Sequence, residues 1–142
     1  MGKSARDVMT PNPKSVRETS NLQEVARMMR DVDAGVIPVC NVSNKIVGLV
    51  TDRDIVVRAV ADGRNPAEMD VAQVMSKDIH CVRESDSIDR VFEMMSQHQI
   101  RRVPVVNDQD ELVGIVAQAD VATKTNKDKR VGQTVEEISE RA

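Results

Sequence analysis

The sequence contains the same unit twice. Shifted by 66 residues, it aligns with itself without a gap, so that Val8-Met9 falls on Val74-Met75 and Asp54 falls on Asp120. From Val8 to Asp54, 15 of the 47 aligned positions are identical. Internal repeats dictate architecture, because each copy is one structural unit that needs a neighbour to bury its apolar face. We therefore expect a first repeat (residues 1–66), a second repeat (residues 67–126) and a tail (residues 127–142).

Each copy is predicted to form a strand, a helix, two strands and a helix. Ser20 with Gln23 is a capping-box pattern that begins the first long helix, Gly63 is placed to end the second, and Pro38 places its strand at a sheet edge or a strand start. The elements of the first copy are a strand at 14–17, a helix from 20, strands at 36–42 and 45–50, and a helix at 52–61. The second copy repeats them as a strand at 80–83, a helix at 86–98, strands at 103–106 and 111–116, and a helix from 118.

The predicted fold class is α/β, of the α+β type, with two tandem β-α-β-β-α units packed about a pseudo-twofold axis. A single unit of this size has too little core and two exposed sheet edges, and pairing the copies solves both problems. In the tail, Val135 and Ile138 lie three residues apart in an acidic setting. This spacing favours a short docking helix over the alternative, a frayed end.

The composition excludes several classes of function. The net charge is −3 and Phe92 is the only aromatic residue among 142, which argues against a nucleic-acid partner. We find no apolar run of membrane length and no signal-peptide pattern, and therefore expect a cytoplasmic protein without a membrane partner. Cys40, Cys81, His80 and His98 lack the spacing of metal ligands, so the cysteines are interpreted as reduced, mostly buried thiols and no metal is assigned.

Residues 48–54, Gly-Leu-Val-Thr-Asp-Arg-Asp, carry the chemistry of the first copy. An apolar strand ends at Thr51 and a helix begins, and such a junction exposes backbone N–H groups that suit anions. Thr51 offers a hydroxyl, Asp54 a carboxylate that suits a vicinal diol such as ribose, and Arg53 a guanidinium that suits phosphate. Thr and Asp are also ordinary capping residues, so for this stretch alone both interpretations stay open.

Taken together, these features resemble the CBS-domain pair, or Bateman module. The resemblance covers roughly residues 5–124 and rests on four elements. They are the doubled β-α-β-β-α plan, the openings Met9-Thr10 and Met75-Ser76, the paired runs Gly-Val-Ile-Pro-Val (35–39) and Arg-Arg-Val-Pro-Val (101–105), and residues 48–54. It implies a non-catalytic regulatory module that needs no cofactor and binds an adenosine-containing ligand in clefts between the copies. AMP, ADP or ATP is expected first, and S-adenosylmethionine, NAD or a cyclic dinucleotide are the other candidates.

The resemblance also implies roles for individual residues. Asp54 would hold the ribose, Thr51 would lie by ribose or phosphate, and Arg53 near phosphate. The base would be held by backbone around Val36, Ile37 and Pro38 and by the segment that opens the first copy, with Thr10, Asn12 and Lys14. The mate site would use Asp120, Val103, Pro104 and the segment from His80. Arg101 and Arg102 either form a solvated edge or an ion pair, or reach phosphates. There Ala117 stands in place of Thr51 and Ala119 in place of Arg53, so the mate site is expected to be the weaker.

Two classes of function remain open. The first is a nucleotide-binding energy or metabolite sensor whose output passes to an effector protein or to a second copy of the chain. The second is an interaction scaffold whose ligand sites are vestigial. An enzyme is not expected, because the sequence offers no activated nucleophile, no paired acid and base and no phosphate-cradling glycine loop. A homodimer is expected, since Ile55, Val56, Val60 and Val121 are apolar positions on helices that one pair of copies leaves uncovered.

Overall fold

The computed structural model describes residues 2–125, which form two compact units. The Asp54 unit comprises residues 14–79, and the Asp120 unit comprises residues 2–13 together with residues 80–125. The units therefore divide the chain at other points than the sequence repeat does. The segment that opens each copy is built into the compact unit of the other copy. The predicted tail and its short helix lie outside the described residues.

The predicted fold class is confirmed, since each unit combines a β-sheet with the helices of a β-α-β-β-α plan. In chain order the elements are α1 (Ala5–Val8), β1 (Thr10–Pro11), β2 (Val16–Arg17), α2 (Leu22–Val32), β3 (Val36–Cys40), β4 (Ile46–Thr51), α3 (Asp52–Ile55), β5 (Val82–Arg83), α4 (Ile88–His98), β6 (Arg102–Val106), β7 (Leu112–Ala117) and α5 (Gln118–Thr125). A π-helical turn (Val56–Val60) continues α3, and two 3-10 turns follow at Pro66–Glu68 and Val71–Gln73.

The sheet of the Asp54 unit has the order β2-β3-β4. Strand β3 runs parallel to β2 and antiparallel to β4, so it is the middle strand of the sheet. At Pro38, however, β3 has no partner on the β2 side, which is the local edge that the sequence predicted as one alternative. The short β2 explains why a proline is tolerated there. It pairs only with Val39 and Cys40, so no neighbouring strand requires an N–H donor from Pro38 on that side of β3.

The sheet of the Asp120 unit has the order β1-β7-β6-β5. Its β5, β6 and β7 pair as β2, β3 and β4 do in the other unit, and β1 adds a fourth strand antiparallel to β7. The β1 register sets Thr10 opposite Ile115 and Pro11 opposite Gly114. In the Asp54 unit, a bridge between Leu49 and Ser76 is the counterpart of this pairing.

Both long helices begin later than predicted. Helix α2 begins at Leu22 and not directly after Ser20, and α4 begins at Ile88 and not at Asp86. Asn21 is the N-cap of α2, because its side-chain oxygen accepts the N–H of Glu24 at 2.9 Å. Ser20 lies outside the helix, and its carbonyl accepts the N–H of Val71 at 2.8 Å. In α4 the cap is Ser87, whose hydroxyl accepts the N–H of Arg90 at 3.2 Å. An N-cap side chain of this kind satisfies a free N–H of the first helical turn, and for α2 the sequence pattern assigned that role to Ser20 instead of Asn21.

Each unit buries its own apolar core, built mainly from valine, leucine, isoleucine and methionine. Ile55 and Val121 belong to these cores, so the prediction that they form an uncovered face is wrong. The exposed apolar residues of this region are Val56, Val57 and Val60, all on the π-helical turn. A regular helix was predicted there. Instead the N–H of Ala61 donates to the carbonyl of Val56, five residues earlier, at 2.8 Å.

Two glycines let the opening segments pass close to a strand. An ideal Cβ on Gly48 of β4 would lie 2.6 Å from Sδ of Met75 and 3.0 Å from the carbonyl oxygen of Ser76. Gly114 of β7 has the same relation to Met9, which is the repeat mate of Met75. A side chain at either position would occupy the space of the methionine, so these glycines are required by close approach.

Candidate functional site

Asp54 and Thr51 form a reciprocal cap at the start of α3. The backbone N–H of Thr51 donates to Oδ2 of Asp54 at 3.0 Å, and the N–H of Asp54 donates to Oγ1 of Thr51 at 3.0 Å. The Asp54 side chain is 18% exposed. The cap uses one carboxylate oxygen, which leaves Oδ1 able to accept hydrogen bonds from a diol. Capping and ligand binding are therefore compatible at this residue.

The cation beside Asp54 is Arg58, a residue that was not predicted. Its Nε lies 3.9 Å from Oδ1 of Asp54, and its Nη1 donates to the carbonyl of Val74 at 3.1 Å. The signal was present in the sequence, since an acid and a base four residues apart share one face of a helix. Arg53, the predicted cation, is exposed, and its backbone N–H donates to Oδ1 of Asp52 at 2.8 Å.

The residues expected to hold the base have different surroundings. Val36 is half-buried and pairs with Thr51 across β3 and β4. Ile37 and Pro38 are buried. Lys14 lines a shallow groove of about 390 Å³ along α2.

Asp120 holds the corresponding place in the other unit, with different partners. Its Oδ2 accepts the N–H of Ala117 at 3.2 Å and the hydroxyl of Thr10 at 3.3 Å. Thr10 and Asn12 were predicted to act with Thr51 and Asp54, and the structure instead places them in the Asp120 unit. The cause is the pairing of β1 with β7, beside which the N–H of Asn12 donates to the carbonyl of Val113 at 3.3 Å. Thr10 thus brings a hydroxyl to the unit in which Ala117 has none.

Most of the other residues predicted for the mate site lie on or near β6. Arg102 pairs with Ala117 in the β6–β7 ladder, as Val36 does with Thr51 in the other unit. Arg101 and Arg102 are exposed, and the carbonyl of Arg101 accepts the N–H of Gln118 at 2.9 Å. Val103 and Pro104 are buried. His80 stacks on His98, with ring centroids 3.5 Å apart and planes at 15°.

The two cysteines are present as thiols. Cys40 is buried and Cys81 half-buried, and neither forms a disulfide in the described part of the chain. Burial raises the pKa of the Cys40 thiol, which keeps it protonated and unreactive at neutral pH. Among residues 2–125, no group of three or more His, Cys, Asp and Glu side chains is arranged to hold a metal ion. In the same residues, no helix has the length and apolar character to span a membrane.

This fold, with a capped carboxylate at the same point of two repeated units, defines the class of the protein. The family model for the CBS domain matches residues 5–60 and again residues 71–125. The chain therefore belongs to the CBS-domain family, with two copies of the domain.

Three proteins illustrate the similarity. Hypoxic response protein 1 of Mycobacterium tuberculosis is 37% identical over 119 residues, which cover 84% of this chain and 82% of that protein. Its crystal structure, with two coordinated zinc ions, superposes with a TM-score of 0.78 over 84% of this chain and 97% of that one. The CBS domain-containing protein YhcV of Bacillus subtilis is 37% identical over 136 residues, covering 96% and 95% of the two chains. The CBS pair of protein MJ0100, solved with 5′-methylthioadenosine and S-adenosyl-L-methionine, is 25% identical, with a TM-score of 0.72 over 86% and 94% of the chains.

Proposed function

We propose that this protein is a regulatory module that binds an adenosine-containing ligand at the Asp54 site, with a second site at Asp120. It acts as an energy or metabolite sensor and performs no catalysis of its own. The observation that carries this proposal is the Asp54 carboxylate. One of its oxygens is fixed by the N–H of Thr51 at 3.0 Å, and the side chain remains 18% exposed.

The physical argument starts from the fixed carboxylate. A carboxylate whose orientation is already set by the backbone can accept two hydrogen bonds from a ribose diol with little further loss of freedom. The same arrangement recurs at Asp120, where Ala117 and Thr10 orient the carboxylate. The adenosyl compounds in complex with the CBS pair of MJ0100 support this ligand class.

The second candidate function is an interaction scaffold with vestigial sites. The exposed valines of the π-helical turn favour an interaction surface. The Thr51–Asp54 cap and the oriented carboxylate of Asp120 favour a site in use. The two candidate functions differ in whether an adenine nucleotide binds.

Adenine nucleotides are expected to stabilise the fold. A ligand at a hundredfold excess over its dissociation constant adds roughly 2.7 kcal/mol to the free energy of unfolding. For a chain of this length, the melting temperature should rise by roughly 5–10 °C. The measurement is a thermal-shift panel of AMP, ADP, ATP, S-adenosylmethionine, NAD and a cyclic dinucleotide, with CMP as the control for the base. A melting curve that none of them moves at millimolar concentration would rule out the sensor and leave the scaffold.

We expect a homodimer that uses the valine face of the π-helical turn. Val56, Val57 and Val60 expose 56%, 48% and 55% of their surface within one turn. A second copy can cover such a face by isologous pairing. Light scattering should give twice the mass of the chain, and Val57→Asp with Val60→Asp should give the monomer. Val42→Asp is the control, since Val42 is exposed elsewhere. A wild-type monomer at micromolar concentration would contradict the prediction.

A further inference from the structure

Arg58 is positioned by two contacts of its guanidinium group. Nε lies 3.9 Å from Oδ1 of Asp54, and Nη1 donates to the carbonyl of Val74 at 3.1 Å. The side chain is nevertheless 55% exposed. The guanidinium is thus held next to the proposed ribose carboxylate while it stays accessible from solvent.

The chemistry of this group suits a phosphate. A guanidinium carries five N–H donors in a planar fork that matches phosphate oxygens. Because Arg58 is already restrained at two points, binding a ligand costs less side-chain freedom than it would for an unrestrained arginine.

The ribose geometry connects the two residues. The 2′,3′-diol and the 5′-carbon belong to the same nucleoside sugar, so a group beside the diol-binding carboxylate can reach the 5′-substituent. Resting on the function proposed above, we propose that Arg58 binds the 5′-phosphate of the ligand. The Asp54 site would then select phosphorylated adenosine over adenosyl ligands without a phosphate, such as 5′-methylthioadenosine.

Arg53 is the competing cation, and the structure places it less well. It precedes Asp54 by one residue, which is about 100° around a helix, whereas Arg58 follows by four and shares the face of Asp54. The Arg53 side chain is exposed, and the hydrogen bond of Arg53 to Asp52 is donated by its backbone N–H. The position of the two side chains therefore favours Arg58 over Arg53 as the residue that binds the phosphate.

The experiment compares two ligands on matched variants. Calorimetric titrations with AMP and with 5′-methylthioadenosine are run in an Asp120→Ala chain, so that the Asp54 site alone is titrated. Arg58→Met should weaken AMP binding about tenfold and leave 5′-methylthioadenosine within about twofold. Arg58→Lys should lose less AMP affinity than Arg58→Met, because lysine keeps the positive charge although it lacks the planar donor fork of arginine. Arg30→Met is the control. Arg30 is also exposed and pairs with a neighbouring carboxylate, on Asp31 at 3.0 Å, and this variant should change neither affinity.

Each alternative result is distinct. Equal losses of affinity for both ligands would mean that Arg58 only orients Asp54, and no loss for either would mean that Arg58 does not contact the ligand. Either result overturns the inference. If AMP affinity falls selectively with Arg53→Met and not with Arg58→Met, the phosphate contact belongs to Arg53 and the inference is overturned. If the starting chain binds neither ligand, the proposed function itself fails. Melting curves of all variants show whether the fold is intact.

Discussion

Replacing Asp54 by alanine is expected to weaken adenine-nucleotide binding by about tenfold to a hundredfold. Hydrogen bonds to a charged group contribute roughly 1.5–3 kcal/mol each, and each 1.4 kcal/mol corresponds to about a tenfold change in affinity. The Asp54 carboxylate lies at the strand-to-helix junction with its Oδ2 already held by Thr51. Its removal therefore takes away the oriented acceptor for the ribose diol. Isothermal titration calorimetry on the purified chain measures the change directly.

The same substitution also removes a helix cap, so the control must separate stability from affinity. Loss of a cap lowers stability by about 1 kcal/mol. Asn21→Ala removes the side-chain cap of α2, which is far along the chain from Asp54. This variant should lose similar stability and keep its nucleotide affinity. Asp54→Asn adds a second test, because it keeps an oxygen for the N–H of Thr51 and removes the charge. If Asp54→Ala loses only stability, the residue is a cap and the ribose role is refuted.

Gly48→Val is expected to give the largest loss of stability. The new side chain would begin with a Cβ 2.6 Å from Sδ of Met75 and 3.0 Å from the carbonyl oxygen of Ser76. Overpacking of this kind costs about 1–3 kcal/mol, which should lower the melting temperature by roughly 2–12 °C in a chain of this length. Differential scanning calorimetry or denaturant unfolding measures the change.

The effect of Gly48→Val should depend on Met75. In the double variant Gly48→Val with Met75→Ala, the sulfur no longer overlaps the new side chain, and part of the lost stability should return even though Met75→Ala alone is destabilising. Such non-additivity is the signature of residues in contact. Additive losses would show that the glycine is needed for another reason, such as its conformational freedom in β4.

The plan of each unit was predictable because it depends on local patterns. Apolar spacing identified α2 and α4, and the apolar runs before and after the turn at Asn44 identified the hairpin of β3 and β4. The boundaries were less accurate. Whether Ser20 or Asn21 caps α2 depends on which side chain reaches a backbone N–H, and the carbonyl of Ser20 is engaged by Val71, which comes much later in the chain.

The candidate site was predicted in part. Thr51 and Asp54 were recognised from the chemistry of their motif and its place in the repeat, and the structure brings them together in one cap. Arg58 was missed although its spacing from Asp54 was visible in the sequence, and its second contact, with the carbonyl of Val74, depends on the tertiary structure. That carbonyl lies on a segment which the repeat assigns to the other copy.

The repeat, the family and the two carboxylates at Asp54 and Asp120 were determined by the sequence itself, because they depend on residue type and spacing. Only the tertiary structure decided which opening segment meets which carboxylate. Thr10 lies beside Asp120, and Ser76 pairs with Leu49 on the strand that leads to Asp54. The reason is physical, because pairing between distant segments depends on which strand edge is open and on whether a glycine leaves room for the incoming methionine. Neither condition can be read from one copy of the repeat alone.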